Sequence, residues 1–313
     1  MRALSISPEE TTFARRGFRT APPSIQSRLE GIGQTFLIGY HLALEHDVSD
    51  TLAIRLNGVE RELQGFAYEG AAMALALLDH LLPGRNKRAQ RFLQGAGVAH
   101  SYMVHVGMGW ALARLRRRVE RPLAYFDPVY RWLAVDGYGF HEGYFYWPRY
   151  VREQTVPKKL SGYALKAFDQ GLGRCLWFVE GADVERIPST IASFSPSRHS
   201  DLWSGIGLAS AYAGGVEVRA LELLLEASGA FRPSLAQGAA FAAKARQRAD
   251  NATPHTDRAC ELFCNLSADD AATITDHALH QLPQDDDKVP AYEIWRQRIQ
   301  AHFSLKTAVS PPA

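Results

Sequence analysis

The sequence predicts an all-α protein in which three repeated helical units pack into one compact body with an aromatic cavity between them. Apolar residues recur at helical spacing along most of the chain, whereas strand signals are few and isolated. A unit is also written three times, each copy pairing a Gly-x-Gly with an acid- or amide-Gly about 30 to 40 residues downstream. The copies run from Gly31-Ile32-Gly33 to Glu69-Gly70, from Gly107-Met108-Gly109 to Glu142-Gly143, and from Gly205-Ile206-Gly207 to Gln237-Gly238. With 313 residues, the chain can bury about three quarters of the surface it exposes when unfolded, enough for a large core and a closed pocket.

Residues 1–22 read as an N-terminal arm, closed by Pro22-Pro23. One all-helical domain follows over 23–305, its repeats spanning about 24–100, 101–172 and 173–280, with a C-terminal helix and a flexible tail over 306–313. Ile25, Leu29, Ile32, Phe36, Ile38, Leu42 and Leu44 mark the first helix, which ends at Asp47 to Asp50. Helices are expected over 71–78, stopped by Pro83-Gly84, and then over 104–117, 165–172, 202–212, 218–227 and 235–248. Pro148, Pro157 and two lysines make 148–162 the exposed connection in the middle of the chain. Gln284-Asp285-Asp286-Asp287-Lys288 is a charged turn ahead of an amphipathic helix over 292–303.

Apolar content of 46% with 22% charge excludes a mainly disordered chain. The formal net charge of +2 selects no partner class. Arg114, Arg116, Arg117, Arg118 and Arg121 cluster at the end of an apolar helix, where the helix dipole favours cations, and do not make a nucleic-acid footprint. Cys175, Cys260 and Cys264 form no C-x-x-C pair and no even disulfide framework, which fits a reducing compartment. No stretch has the apolar length of a signal core or a membrane span, so the expectation is a cytoplasmic protein without a membrane or nucleic-acid partner.

Glu69 and Glu142 are the leading catalytic candidates. Each follows a ring side chain, Tyr68 or His141, and precedes a glycine, in what reads as an aromatic-rich turn leading into a helix. A carboxyl held among rings loses hydration, and its pKa rises toward neutrality, where it can take or give a proton. The structural alternative is an acid placed in a first helical turn to suit the dipole. His141 joins the catalytic set through its adjacency to Glu142, while the remaining histidines read as core residues. Phe126, Tyr130, Trp132, Tyr138, Phe140, Tyr144, Phe145, Tyr146 and Trp147 crowd one stretch and would line an apolar pocket. Tyr68, Tyr138, Phe140, Tyr144, Trp147 and Trp203 are accordingly the candidate substrate contacts, with Arg198 for an anionic group.

Other chemistries find little support. None of the Gly-x-Gly motifs extends to Gly-x-Gly-x-x-Gly, since Leu112 and Ser210 fill the third place, so a dinucleotide site is not expected. There is no Walker loop and no Gly-x-Ser-x-Gly elbow. Histidine and cysteine spacing matches no metal motif, and neither metal nor cofactor is expected. Asp269-Asp270-Ala271-Ala272-Thr273 begins like a magnesium motif of terpene cyclases, but His277 stands where its last acid belongs.

Phe13-Ala14-Arg15-Arg16-Gly17-Phe18, Glu30-Gly31-Ile32-Gly33, Gly137-Tyr138-Gly139-Phe140-His141-Glu142-Gly143-Tyr144-Phe145 and Gly205-Ile206-Gly207 together resemble a bacterial family of largely unassigned function. That family is met in biosynthetic clusters for enediynes and azinomycin-type aziridine compounds, and the resemblance extends over about residues 13–280. It implies natural-product biosynthesis, with some relatives implicated in intramolecular ring closure beside a related partner protein. It carries no agreed catalytic residues. The expected function is a cofactor-independent enzyme that cyclises a small-molecule intermediate, with Glu69 and Glu142 as base and electrostatic partner. The alternative is a non-catalytic small-molecule-binding or scaffold subunit paired with a related catalytic protein.

Overall fold

Apolar residues spaced for one helix face, broken by Pro, Gly and Asp-rich junctions, fold in the computed structural model into helices and connections, with no strand among the described residues. The structure describes residues 4–82, 87–115, 126–285 and 289–307, the side chains of 305–307 excepted. The expected stop at Pro83-Gly84, most of the basic cluster (Arg116, Arg117, Arg118 and Arg121), Asp286, Asp287 and the tail beyond 307 lie outside them.

The helices are α1 (Phe13–Arg16), α2 (Pro23–His46), α3 (Asp50–Asn57), α4 (Gln64–Leu81), α5 (Arg88–Gln94), α6 (Ser101–Arg114), α7 (Arg131–Trp147) and α8 (Tyr163–Val179). They continue with α9 (Arg186–Ala192), α10 (Pro196–Ala213), α11 (Val218–Ser228), α12 (Arg232–Arg248), α13 (Pro254–Cys264), α14 (Ala268–Leu279) and α15 (Ala291–Thr307). The long helices α2, α4, α6, α7, α8, α10 and α12 pack in chain order, each on the next, and α13, α14 and α15 cover α12. Short α3, α5, α9 and α11 lie in the connections. Residues 148–162 hold a turn of π-helix at Pro148–Arg152 and join α7 to α8, which pack along one another.

Glycine sets how closely these helices approach. A methyl on Gly171 of α8 would overlap the Asp136 carbonyl oxygen of α7, and one on Gly139 of α7 would overlap the Phe168 carbonyl of α8. The same reciprocal contact joins α2 to α4 through Gly39 and Gly70, α6 to α7 through Gly109 and Gly137, α8 to α10 through Gly173 and Gly205, and α10 to α12 through Gly207 and Gly238. In each pair the contacted residue numbers rise on one helix as they fall on the other, so neighbours pass in opposing directions. The first glycine of a Gly-x-Gly meets the preceding helix and the second the following one, with a recurrence of about 34 residues from Gly137 to Gly171, Gly205 and Gly238. One long helix with its connection is therefore the recurring unit. Gly31-x-Gly33, the first expected copy, takes no part in a crossing: Gly31 has open space beside it, and Gly33 faces Thr11 of the arm.

This packing corrects one reading of the sequence. Segments 65–70 and 137–143 are not turns leading into helices but lie within α4 and α7. At Gly70, Gly137 and Gly139 a neighbouring backbone occupies the place of the side chain, and at Gly65 and Gly143 a neighbouring side chain does, so that close contact compensates the roughly 1 kcal/mol a helical glycine costs. Neither Glu69 nor Glu142 stands in a first helical turn, so the dipole does not account for them.

Residues preceding the first glycine form a buried polar ladder. Gln170 Nε2 donates to Asp136 Oδ2 at 2.8 Å, and Ser204 Oγ donates to Gln237 Oε1 at 2.8 Å. Arg296 of α15 donates to that same Gln237 oxygen at 3.2 Å, to Asp201 at 2.7 Å and to Glu293 at 3.0 Å. The arginine is 1% exposed, and its charge holds two carboxylates in the core. Arg296→Met keeps the bulk but strands both acids, so it is expected to lower stability by about 3–5 kcal/mol, read from urea unfolding. Asp201→Asn should cost less.

The ends of the array meet. Arg28 Nε of α2 donates to the Ala213 carbonyl at 2.6 Å, and Arg246 of α12 donates to the carbonyls of Glu62 and Tyr212 at 2.6 and 2.7 Å. Phe66 of α4 packs edge-on against Tyr212 of α10, with centroids 5.2 Å apart. The interior between these helices holds Glu69 and Arg174.

Candidate functional site

Two cavities adjoin at Phe145, which lines both, and at Trp110, which lines the second and packs edge-on against His141 of the first. The larger, about 430 Å³, opens between α6, α7 and the connection to α8. Its floor is Tyr138, His141, Glu142 and Tyr150, all buried, and its rim is Arg114, Arg149, Lys158 and Lys159, all exposed. Helix spacing places Tyr138, His141 and Glu142 on the wall, and the π-helical turn after Pro148 swings Tyr150 back beneath them. His141 Nδ1 lies 3.2 Å from Glu142 Oε1. Burial pushes the imidazole pKa down while the Glu142 carboxylate works against that shift. Burial, and then the neighbouring Glu142 carboxylate, push the Tyr150 phenol up, so the phenol stays protonated beside the carboxylate. The floor thus offers a carboxylate hydrogen-bonded to a neutral imidazole, with a protonated phenol beside them, beneath a cationic rim.

The second cavity is a crevice of about 50 Å³ walled by aromatic rings and covered by the N-terminal arm through Ile6, Glu10 and Thr11. Glu69, Trp110, Phe140, Tyr144 and Arg174 line it. A third space of about 30 Å³ lies beyond Phe66, Glu69, Arg174 and Phe178 and reaches Met103, Leu208 and Tyr212. Glu69 is 4% exposed. Its nearest cation is Arg174, at 3.9 Å, and that guanidinium sits closer to Asp136, at 3.1 Å. Burial raises the Glu69 pKa to about 7; Arg174 opposes the shift and the Asp136 charge adds to it. The Trp110 indole N–H also favours the charged form, although at longer range than a hydrogen bond, for its nitrogen has no partner within bonding distance.

The structure separates the two sequence-predicted acids, Glu142 opening on the basic cavity with Tyr138 and His141, and Glu69 on the aromatic crevice with Phe140 and Tyr144. Tyr68 stacks on His100 with centroids 4.1 Å apart and donates to Asn57 at 2.8 Å. Trp147 Nε1 donates to the Arg16 carbonyl at 3.0 Å and fastens the arm. Trp203 is buried within α10. Arg198 is engaged by Asp169, with Nε 2.9 Å from Oδ2, and by the Gln154 carbonyl at 3.1 Å. None of these four lines any of these three spaces.

Trp110 and Tyr150 were not expected from sequence, and a signal for the first was present. The residue after the second crossing glycine is Trp110, Phe140, Arg174 or Leu208, and all four line the inner spaces. Among the described residues no three His, Cys, Asp or Glu side chains converge as a metal ligand set, and no helix is long and apolar enough to cross a membrane.

Neither the curated proteins nor the solved structures contain a match to this chain. A family model described as "Protein of unknown function (DUF1702)" spans residues 1–303, which cover the array, both acids and the arm, and the chain belongs to that family.

Proposed function

We propose that this protein is an acid–base enzyme that closes a ring in an anionic small-molecule intermediate bound in the basic cavity. The observation that carries the reading is the buried His141–Glu142–Tyr150 group beneath the rim of Arg114, Arg149, Lys158 and Lys159. The rim holds a sulfate, phosphate or carboxylate. The neutral imidazole takes a proton from the substrate's attacking group as that group bonds to carbon, and the leaving group departs with its electron pair toward the cations. Glu142 then stabilises the imidazolium, and Tyr150 fixes the carboxylate. Holding the reacting atoms about 3 Å apart supplies much of the acceleration. The biosynthetic setting rests on the resemblance of the Gly137–Phe145 and arm motifs to proteins of natural-product clusters. Three free thiols, all buried, suit action in a reducing cytoplasm.

Glu142→Gln, introduced in the cell that makes the protein, is expected to cut ring closure by about 10²–10³-fold, with the open intermediate accumulating in extracts. Native mass spectrometry of the variant should show that intermediate bound. An unchanged product level would sink the catalytic role. A bound metabolite together with unchanged product would instead identify a binding subunit that serves a related catalytic protein.

A further inference from the structure

The aromatic crevice holds polar atoms that the protein does not use. Trp110 is 6% exposed and lines the crevice, and its indole N–H has no hydrogen-bond partner among the described residues. Tyr212 is 3% exposed and lines the space beyond Glu69, and its hydroxyl likewise has no partner. Between them stands Glu69, whose only described ion pair is the long one to Arg174. Two buried donors without a partner and one acid with only a distant cation thus stand on the lining of these spaces. Leaving a buried donor unpaired costs about 1–3 kcal/mol, which a ligand that pairs it recovers. Phe36, Phe66, Phe140, Tyr144 and Phe178 supply apolar walls.

Charge selects the ligand class. Arg174 faces the carboxylates of both Glu69 and Asp136, so one guanidinium serves two acids and the group is electrically neutral only when one of them holds a proton. A cationic ligand would meet Arg174, which already lies over the Phe140 ring at 4.9 Å. A second anion would meet Glu69 and Asp136. A neutral molecule meets neither penalty.

We propose that the crevice beneath the N-terminal arm is a second ligand site, which takes a neutral apolar molecule through one carbonyl or hydroxyl oxygen held by the Trp110 indole N–H and the Glu69 carboxyl. It is separate from the basic cavity and does not depend on the function proposed there. The crevice holds only a few non-hydrogen atoms while the arm is seated, so entry requires the arm to lift. At this point Tyr144 Oη reaches the Thr11 carbonyl at 3.5 Å and Gly33 gives Thr11 its place, while Tyr40, Glu30 and Trp147 bond the arm on either side. Gly33→Ala would put a methyl 2.9 Å from Thr11 Cβ and push the arm outward.

The groups that face Glu69 are Arg174 from α8, Asp136 from α7 and Tyr212 from α10; Glu10 of the arm also lines the crevice, but is paired with Arg15 and Arg16. Glu69 donates to the ligand oxygen only while protonated. Affinity should therefore be constant below about pH 7 and fall by up to ~10-fold per unit above it.

The test uses the full chain and the fluorescent naphthyl ketone prodan, with 2-undecanone as competitor and undecane as its oxygen-free control. Expected is one saturable site with blue-shifted emission, displaced by the ketone far better than by the alkane. Trp110→Phe should weaken binding ~10-fold. Glu69→Gln, which keeps a donor, should bind with no pH dependence near 7, and Glu142→Gln should bind as wild type does. Absence of saturable binding in both the wild type and Gly33→Ala would overturn the proposal. Binding that ignores Trp110→Phe and keeps its pH profile in Glu69→Gln would overturn it too, leaving water as the partner of these groups.

Discussion

Gly171→Ala is expected to destabilise the protein by at least about 3 kcal/mol, whereas Gly31→Ala should stabilise it by about 1 kcal/mol. Both glycines lie inside long helices, and helix propensity alone predicts the same gain at each. What differs is the neighbour. A methyl on Gly171 would overlap the Asp136 carbonyl and crowd the Phe140 amide nitrogen, and neither backbone can yield without separating α7 from α8. Nothing stands within 4 Å of a methyl on Gly31. Urea unfolding of the two variants beside the wild type checks the pair, and a stable Gly171→Ala would show that the helices do not approach as described.

Glu69→Gln should be more stable than wild type at pH 8 by about 2–3 kcal/mol and no more stable at pH 4.5. The sign follows from the direction of the shift. Burial raises the native pKa to about 7 from an ordinary value of 4.5, so the native state binds the proton more tightly than the unfolded chain. Wild-type stability is then full below about pH 4.5, declines between 4.5 and 7, and stays low above. A glutamine neither ionises nor loses that contribution. The difference between the two melting curves as a function of pH isolates Glu69 from Asp169, whose pKa burial raises to about 6 and which is present in both proteins. A group that costs stability at neutral pH fits a functional placement better than a structural one.

Most of the fold was legible because it depends on periodicity. The long helices follow from apolar spacing, and the Gly-x-Gly motifs announce that some unit recurs. The unit itself was misread, because glycine reads as a helix breaker when its partner backbone is out of view. Gly137-Tyr138-Gly139 reads as a turn among rings, and Gly171-Leu172-Gly173 as the end of a helix, although both carry the crossing spacing. Conversely, Gly31-Ile32-Gly33 has the spacing and no crossing. The acids were found from local composition, since a carboxyl flanked by rings and glycine is unusual. Their separation into two cavities depends on rings such as Trp110, 41 positions from Glu69 and 32 from Glu142, and no local pattern reports that. Arg198 illustrates the same limit, for its partner Asp169 lies on another helix.

The reciprocal glycine contacts have a mechanical consequence. Each carbonyl oxygen sits in the notch where a neighbour lacks a side chain, one turn away from residues that have one. Sliding either helix along its axis would drive that oxygen into the next side chain, so the array has no low-energy slip and each pair is keyed at a single registration. Movements available to it are pivots about the notches, and freedom of larger amplitude is left to the segments that are not keyed: the arm over one cavity and the lysine-bearing connection at the rim of the other.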